Sequence, residues 1–225
     1  MIKAIIWDMD GTFLNSEDYW TLTPRVWLKH HGIELTDEEW NTAPWRAVSF
    51  RTMLKNIYAM DIVKDPEPLD EAVQWCKDYM YGTIYQGDKY VKFKPDAPAT
   101  LEEAYSIGIP MCLLTATIAP VVEYTLDRLH IDHYFCFWQS TATGMKKDNP
   151  EIFRLAAERM GVKVEECLLV EDSLYSMKSG REAGCTVWAI EDPKHVSHVE
   201  EIKQTAHRYF NNHIEMRQAF AELNK

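Results

Sequence analysis

"IIWDMDGTF", residues 5–13, runs from three apolar residues into two carboxylates one residue apart, Asp8 and Asp10, and then a glycine. A short apolar run closed by a turn signal reads as a buried strand, here "KAIIW" over residues 3–7. In an open parallel sheet, ligands bind beyond the carboxyl ends of the strands, which is where Asp8 and Asp10 would project. Two like charges at that spacing call for a cation, and hard carboxylate oxygens select magnesium. A bare D-x-D-G serves equally as a strand-to-helix turn in which the aspartates only terminate structure. The rest of the chain decides between the two.

Further apolar runs follow at "IPMCLLT" (109–115), "YFCFW" (134–138), "ECLLVE" (166–171) and "TVWAI" (186–190), with a weaker one at "HRYF" (207–210). They alternate with helical patterns, the sign of a parallel sheet covered by helices on both faces: an α/β, Rossmann-like, doubly wound core. Pro120 and Pro150 stand where helices start, Gly161 and Gly184 where they stop. The first two strands are about a hundred residues apart, far more than one crossover needs. Leu69, Val73, Cys76, Met80 and Ile84 recur there at three- and four-residue steps, Thr36–Glu39 has the form of a capping box, and Pro66 fits a helix start. The expected organisation is a core of residues 1–15 and 91–225 with an all-helical inserted domain, 16–90, joined by two connections that act as a hinge.

Composition narrows the function. The chain has 225 residues, 46% of them hydrophobic, and can bury a sizeable core. A net charge of -11 leaves no basic stripe for phosphate backbones, which argues against nucleic acid as a partner. No apolar stretch is long enough for a membrane span, and the start turns acidic too early for a secretory signal, so a cytoplasmic location is expected. Five scattered cysteines without a C-x-x-C pair read as packed, reduced thiols rather than disulfides or a zinc site.

Three further polar elements arrive at successive strand ends: Thr115 closes "MCLLT", Lys147 lies in "GMKKDNPEIF" before a helix, and Glu171-Asp172 close "CLLVE". Taken in order, "WDMDGTFLNSE", "LLTAT", "KKDNPEIF" and "LLVEDS" resemble the four motifs of the haloacid dehalogenase superfamily, and the helical insert resembles its type I cap. The resemblance covers nearly the whole chain. It implies a magnesium-dependent phosphatase in which Asp8 attacks phosphorus to form an aspartyl-phosphate and Asp10 moves the proton of the leaving alcohol and of the attacking water. It further implies metal ligands Asp8, Asp10 through its backbone carbonyl, Asp172, and Glu171 directly or through water. Thr115 would bind a phosphoryl oxygen, with Gly11, Thr12, Ala116 and Thr117 around the phosphate, and Lys147 would neutralise the charge shared by Asp8 and substrate. The bland alternatives are a Thr115 that caps a helix and a Lys147 that is merely solvated. Asp148 replaces the proline usual after the motif lysine, which leaves Lys146 as a rival amine; Ser176 stands where the family often has glycine, and Asn15 where it often has aspartate.

Within that family, Asp10 argues against dehalogenation, since a halide leaves unprotonated. A beta-phosphoglucomutase-like phosphosugar mutase is the alternative, because "TAT" (115–117) resembles that branch; against it, Trp20 replaces the branch's histidine and Phe50 its cap arginine. A non-catalytic phosphate-ester-binding protein would have lost Asp8 or the metal carboxylates, and both are present. The segment "APWRAVSFR" (43–51) is the candidate for recognising the leaving group, with Trp20, Trp45, Arg46 and Arg51 offering flat surface and fixed cations. The expected partner is a small phosphorylated metabolite, and the expected state a monomer or weak dimer. His195 and His198 have metal-ligand spacing but, with no partners near in sequence, read as a solvated late segment.

Overall fold

The computed structural model describes residues 1–42, 50–84 and 92–223. In chain order the elements are β1 (Ala4–Trp7), β2 (Leu14–Asn15), α1 (Glu17–His30), α2 (Asp37–Thr42), α3 (Phe50–Ala59), α4 (Leu69–Tyr79), β3 (Lys92–Phe93), α5 (Ala97–Ser106) and β4 (Met111–Thr115). There follow α6 (Ala119–Leu129), β5 (Phe137–Ser140), α7 (Glu151–Arg159), β6 (Cys167–Glu171), α8 (Leu174–Ala183), β7 (Thr186–Ile190), α9 (Val199–Thr205), β8 (Arg208–Phe210) and α10 (His213–Leu223). The chain falls into two compact units, Met1–Asn15 with Phe93–Lys225, and Ser16–Lys92.

The larger unit is built on a six-stranded, all-parallel sheet in the order β5-β4-β1-β6-β7-β8. Strands buried on both faces have no polar side to show, which is why β1, β4 and β6 read as unbroken apolar runs. One face packs Ile6, Leu114 and Leu169 against Phe153 of α7 and Met177 of α8. Gly180 of α8 lets that helix approach closely, since a Cβ there would lie 2.4 Å from the Leu169 side chain. On the other face Trp7 packs against Phe220 of α10 with ring centres 5.6 Å apart. The chain moves outward from β1 in one direction through β4 and β5, then returns to lay β6 on the opposite side of β1. That reversal is a doubly wound sheet's switch point, and it puts the β1 and β6 ends side by side.

Two elements differ from the sequence expectation. The third strand of the sheet spans Phe137–Ser140, because its pairing with β4 begins at Cys112 and Phe137 and runs on through the polar Gln139 and Ser140. It is an edge strand whose residues are half-buried, so polarity is tolerated there. Helix α4 starts at Leu69 behind Pro68, not after Asp65 at Pro66. The Thr36 box does form: the Thr36 amide donates to Glu39 Oε2 at 2.8 Å and the Glu39 amide to Thr36 Oγ1 at 3.2 Å. In this helical unit Trp27, Leu28, Leu54, Ile57 and Cys76 form a separate core. Four of the five cysteines are buried and free; Cys136 is free but exposed. Among the described residues no helix is long and apolar enough to cross a membrane.

Candidate active site

The switch point gathers the polar residues. Asp8 follows β1 directly, and its amide still donates to the Val170 carbonyl of β6 at 3.0 Å, so the carboxylate is aimed by the sheet itself. Glu171 is the last residue of β6 and Asp172 the next. Asp8, Glu171 and Asp172 are all buried, with oxygens within 4.8 Å of one another. Gly11 makes this approach possible. Its φ is +81°, and a Cβ there would stand 2.3 Å from Asp172 Oδ2.

Each carboxylate is held in a different way. Asp8 Oδ1 pairs with Lys147 Nζ, while Oδ2 accepts the Thr12 hydroxyl at 3.0 Å. Glu171 Oε1 accepts the amides of Asp172 and Ser173, each at 3.1 Å, and the Ser173 hydroxyl at 2.8 Å; its Oε2 accepts Lys147 Nζ at 2.9 Å. Asp172 Oδ1 accepts the Thr12 hydroxyl at 3.3 Å, and Oδ2 lies 3.2 Å from His195 Nε2. Burial raises Asp8 well above the ordinary carboxylate range, Glu171 and Asp172 add to this, and Lys147 opposes it. Burial works against the charge on Lys147, but Asp8 and Glu171 outweigh it and raise its pKa, keeping it an ammonium. Asp172 also feels burial, yet His195 and the charge of Lys94 hold it well below its usual value.

Among the described residues these three carboxylates meet one ammonium, on Asp8 and Glu171, and one imidazole, on Asp172, which leaves the cluster short of positive charge, and buried charges are stable only when compensated. The donor set is all hard oxygen, which suits magnesium or a similar divalent ion. Asp8 and Asp172 have oxygens to offer it; Glu171, with four hydrogen bonds already on its carboxylate, fits better as a support. Asp10 stands apart. Its Oδ2 accepts the hydroxyls of Thr117 and, at 3.5 Å, Thr115, and the Thr117 amide donates to Thr115 Oγ1 at 3.1 Å.

The sequence-named residues of the sheet unit therefore converge: Asp8, Thr12, Lys147, Glu171 and Asp172 in one group, and Asp10, Thr115 and Thr117 in the adjoining one. Ala116 connects the two threonines and Gly11 lines the cluster. Lys147 is buried on Asp8, whereas Lys146 donates to the Thr141 and Ala142 carbonyls and so closes its own loop. In the helical unit Arg51 pairs with Asp70 across α3 and α4 at 2.5 Å, both side chains exposed. Trp45 and Arg46 lie outside the described residues, and the placement of the Trp20 side chain is not among what is described.

The reading of His195 as a solvated residue is corrected by its contact with Asp172 and by a side-chain exposure of only 16%. Lys94 and His213 lie outside the motifs, and Ser173, the last residue of "LLVEDS", was assigned no role. His213 Nε2 donates to the Thr12 carbonyl at 2.9 Å, from the first residue of α10. The available signal was position: His195 follows the end of β7, and Lys94 follows β3.

A family model for haloacid dehalogenase-like hydrolases matches residues 2–184. Hexitol phosphatase A of Escherichia coli K12 is 24% identical over 213 residues, covering 91% of this chain and 90% of that protein. Phosphoglycolate phosphatase of the same strain is 27% identical over 207 residues, covering 82% of this chain and 79% of that protein. Among solved structures, a HAD family hydrolase of Deinococcus radiodurans R1, crystallised with phosphate and sodium, matches with a TM-score of 0.74 at 20% identity, over 98% of this chain and 96% of that one. That likeness speaks for the fold, and the family match for the chemistry: this chain belongs to the haloacid dehalogenase-like hydrolases.

Proposed function

We propose that the chain is a magnesium-dependent phosphatase that hydrolyses a small phosphate monoester through an aspartyl-phosphate on Asp8. The observation that carries this reading is the under-neutralised trio Asp8, Glu171 and Asp172 with Lys147 at its edge, next to a second aspartate held separately by two threonines. The curated relatives named above are phosphatases, which points the same way.

Asp8 is held at both oxygens, which limits its rotation and favours an in-line approach to phosphorus. As its oxygen bonds to phosphorus the ester P–O bond breaks, and Asp10 gives a proton to the departing alkoxide. A water then attacks the aspartyl-phosphate, its proton passes to Asp10, and the P–O bond to Asp8 breaks to release phosphate. Thr115 and Thr117 keep the Asp10 carboxyl aimed at the leaving group, and Lys147 balances charge on Asp8. A divalent ion held by Asp8, Asp172 and the Asp10 carbonyl would supply the remaining charge compensation that lets a carboxylate approach a phosphate dianion. Selectivity among esters is assigned to the insert, with Trp20, Arg46 and Arg51 as the residues to vary.

The experiment is a panel of small phosphate esters assayed for release of inorganic phosphate, with magnesium and with excess chelator. Magnesium-dependent release without a bisphosphate primer is the expected result. Activity that survives chelation would overturn the metal reading, and isomerisation that needs a bisphosphate would make the enzyme a mutase.

A further inference from the structure

The loop after β7 meets the carboxylate cluster from outside the four motifs. Lys94 pins its start: Nζ donates to the Glu191 carbonyl at 2.9 Å and pairs with the Asp192 carboxylate at 2.7 Å, with side-chain exposures of only 11% and 2% for Lys94 and Asp192. The His195 amide then donates to the Asp192 carbonyl at 3.0 Å, closing a turn that brings the imidazole to Asp172 Oδ2. An ion pair kept this far from water is not a casual surface contact, and it fixes the backbone that carries the ring.

We propose that His195 is a positioning residue for the metal-binding carboxylate: together with Thr12 it sets the rotation of the Asp172 side chain and thereby the affinity of the site for magnesium. The inference rests on the reading of Asp172 as a metal ligand. The terminal torsion of an aspartate is broad and soft, so a carboxylate held at one oxygen can swing. Asp172 is held at both, Oδ1 by the Thr12 hydroxyl and Oδ2 by His195 Nε2, and each oxygen has a second lone pair left for a cation. Thr12 alone would not fix it, because that hydroxyl is shared with Asp8. Hydrogen bonds to metal-binding side chains from the layer behind them typically govern metal affinity by about 10- to 100-fold.

The test is calorimetric titration of magnesium into metal-stripped, substrate-free protein, comparing wild type with His195→Ala and with His195→Gln, which keeps a donor. Phosphate-ester turnover is followed in parallel as magnesium is raised. The expected result is a magnesium Kd about tenfold or more weaker in His195→Ala, partly restored in His195→Gln, with kcat at saturating magnesium within about threefold of wild type. The inference is overturned if both variants bind magnesium as wild type does, or if His195→Ala loses kcat at saturating magnesium with its Kd unchanged. Should His195→Ala not fold, His195→Asn against His195→Gln carries the comparison, since the shorter amide cannot span the same gap. A wild-type protein that binds no magnesium would overturn the metal reading itself and this inference with it; intact wild-type binding with unaltered variants overturns this inference alone.

Discussion

Each of the two units keeps an acidic group out of full contact with water, and they treat its charge in opposite ways. In the helical unit Glu67 is largely matched: Oε1 accepts the Trp27 indole at 2.8 Å, Oε2 lies 3.0 Å from His31 Nε2 in a contact that is not an aligned hydrogen bond, and the backbone carbonyl accepts the Tyr58 hydroxyl at 2.6 Å. Burial pushes Glu67 up, but the Trp27 bond, with its own backbone and His31, holds it below its usual range. Trp27 stacks on Tyr58 with ring centres 5.5 Å apart, so the acid completes an aromatic cluster. In the sheet unit three carboxylates gather where, among the described residues, Lys147 pairs with Asp8 and Glu171 and the His195 imidazole with Asp172, so acid still outnumbers base. A polar group whose partners are complete is architecture; one whose charge is left over marks a place for something the chain does not itself contain.

The largest effect should come from relieving that surplus. Asp8→Asn removes one charge from the cluster and, on the proposed mechanism, the nucleophile with it, so kcat should fall by on the order of 10⁴-fold or more. Stability should hold or rise, because like-charge repulsion is reduced at a buried site. Steady-state assays beside urea unfolding check both halves. Near-normal turnover would reassign the nucleophile, and a marked loss of stability would mean the cluster is matched after all.

The same distinction explains what could be read from the chain. Asp8, Thr115 and Asp172 were legible because each ends or directly follows a strand whose apolar run declares itself locally, and the parallel order then forces those ends together. Strand β5 was misplaced because an edge strand carries polar residues that the run of "YFCFW" does not include. His195 was misread for a different reason: its partner lies 23 positions earlier in the sequence, and only the Lys94-pinned turn brings the two together. Contacts made by loops at the back of a site leave no periodicity to detect, and Lys94 and His213 escaped notice in the same way.

An intermediate effect is expected from His213, a buried group of the sheet unit that is matched on one side only. Nε2 donates to the Thr12 carbonyl, while Nδ1 is buried without a hydrogen-bond partner among the described residues. Burial lowers its pKa to about 4, the Thr12 contact opposing and the charge of Lys94 assisting. A histidine depressed in the folded state from about 6.5 contributes stability above pH 6.5 and loses it as pH falls towards 4. The loss should be about 2 kcal/mol between pH 7.5 and pH 5, and about 3 by pH 4. Urea unfolding of wild type and His213→Gln across that range isolates the histidine from the carboxylates: the variant's acid limb should be shallower by that amount. Parallel limbs would show that the ring takes up its proton without cost in the folded protein.

The smallest effect tests the matched side of the comparison. Glu67→Gln keeps the shape of the side chain and still offers an oxygen to the Trp27 indole, but it gives up the charge that faces His31. Hydrogen bonds to charged groups contribute about 1.5–3 kcal/mol when sheltered, and the partial exposure of Glu67 and His31 reduces this towards about 1 kcal/mol. For a chain of this size that is a fall in Tm of about 2–4 °C. Since the glutamate completes the helical core and lies outside the residues proposed for phosphoryl transfer, kcat should stay within about twofold of wild type, the reverse of the pattern expected for Asp8→Asn. Differential scanning calorimetry and a single-ester assay on the same preparation decide it. A variant that melts like wild type would show that Glu67 is not a net contributor to the insert's stability. One that keeps its Tm but loses most of its turnover would place Glu67, and the insert's aromatic cluster with it, among the residues that act on the substrate.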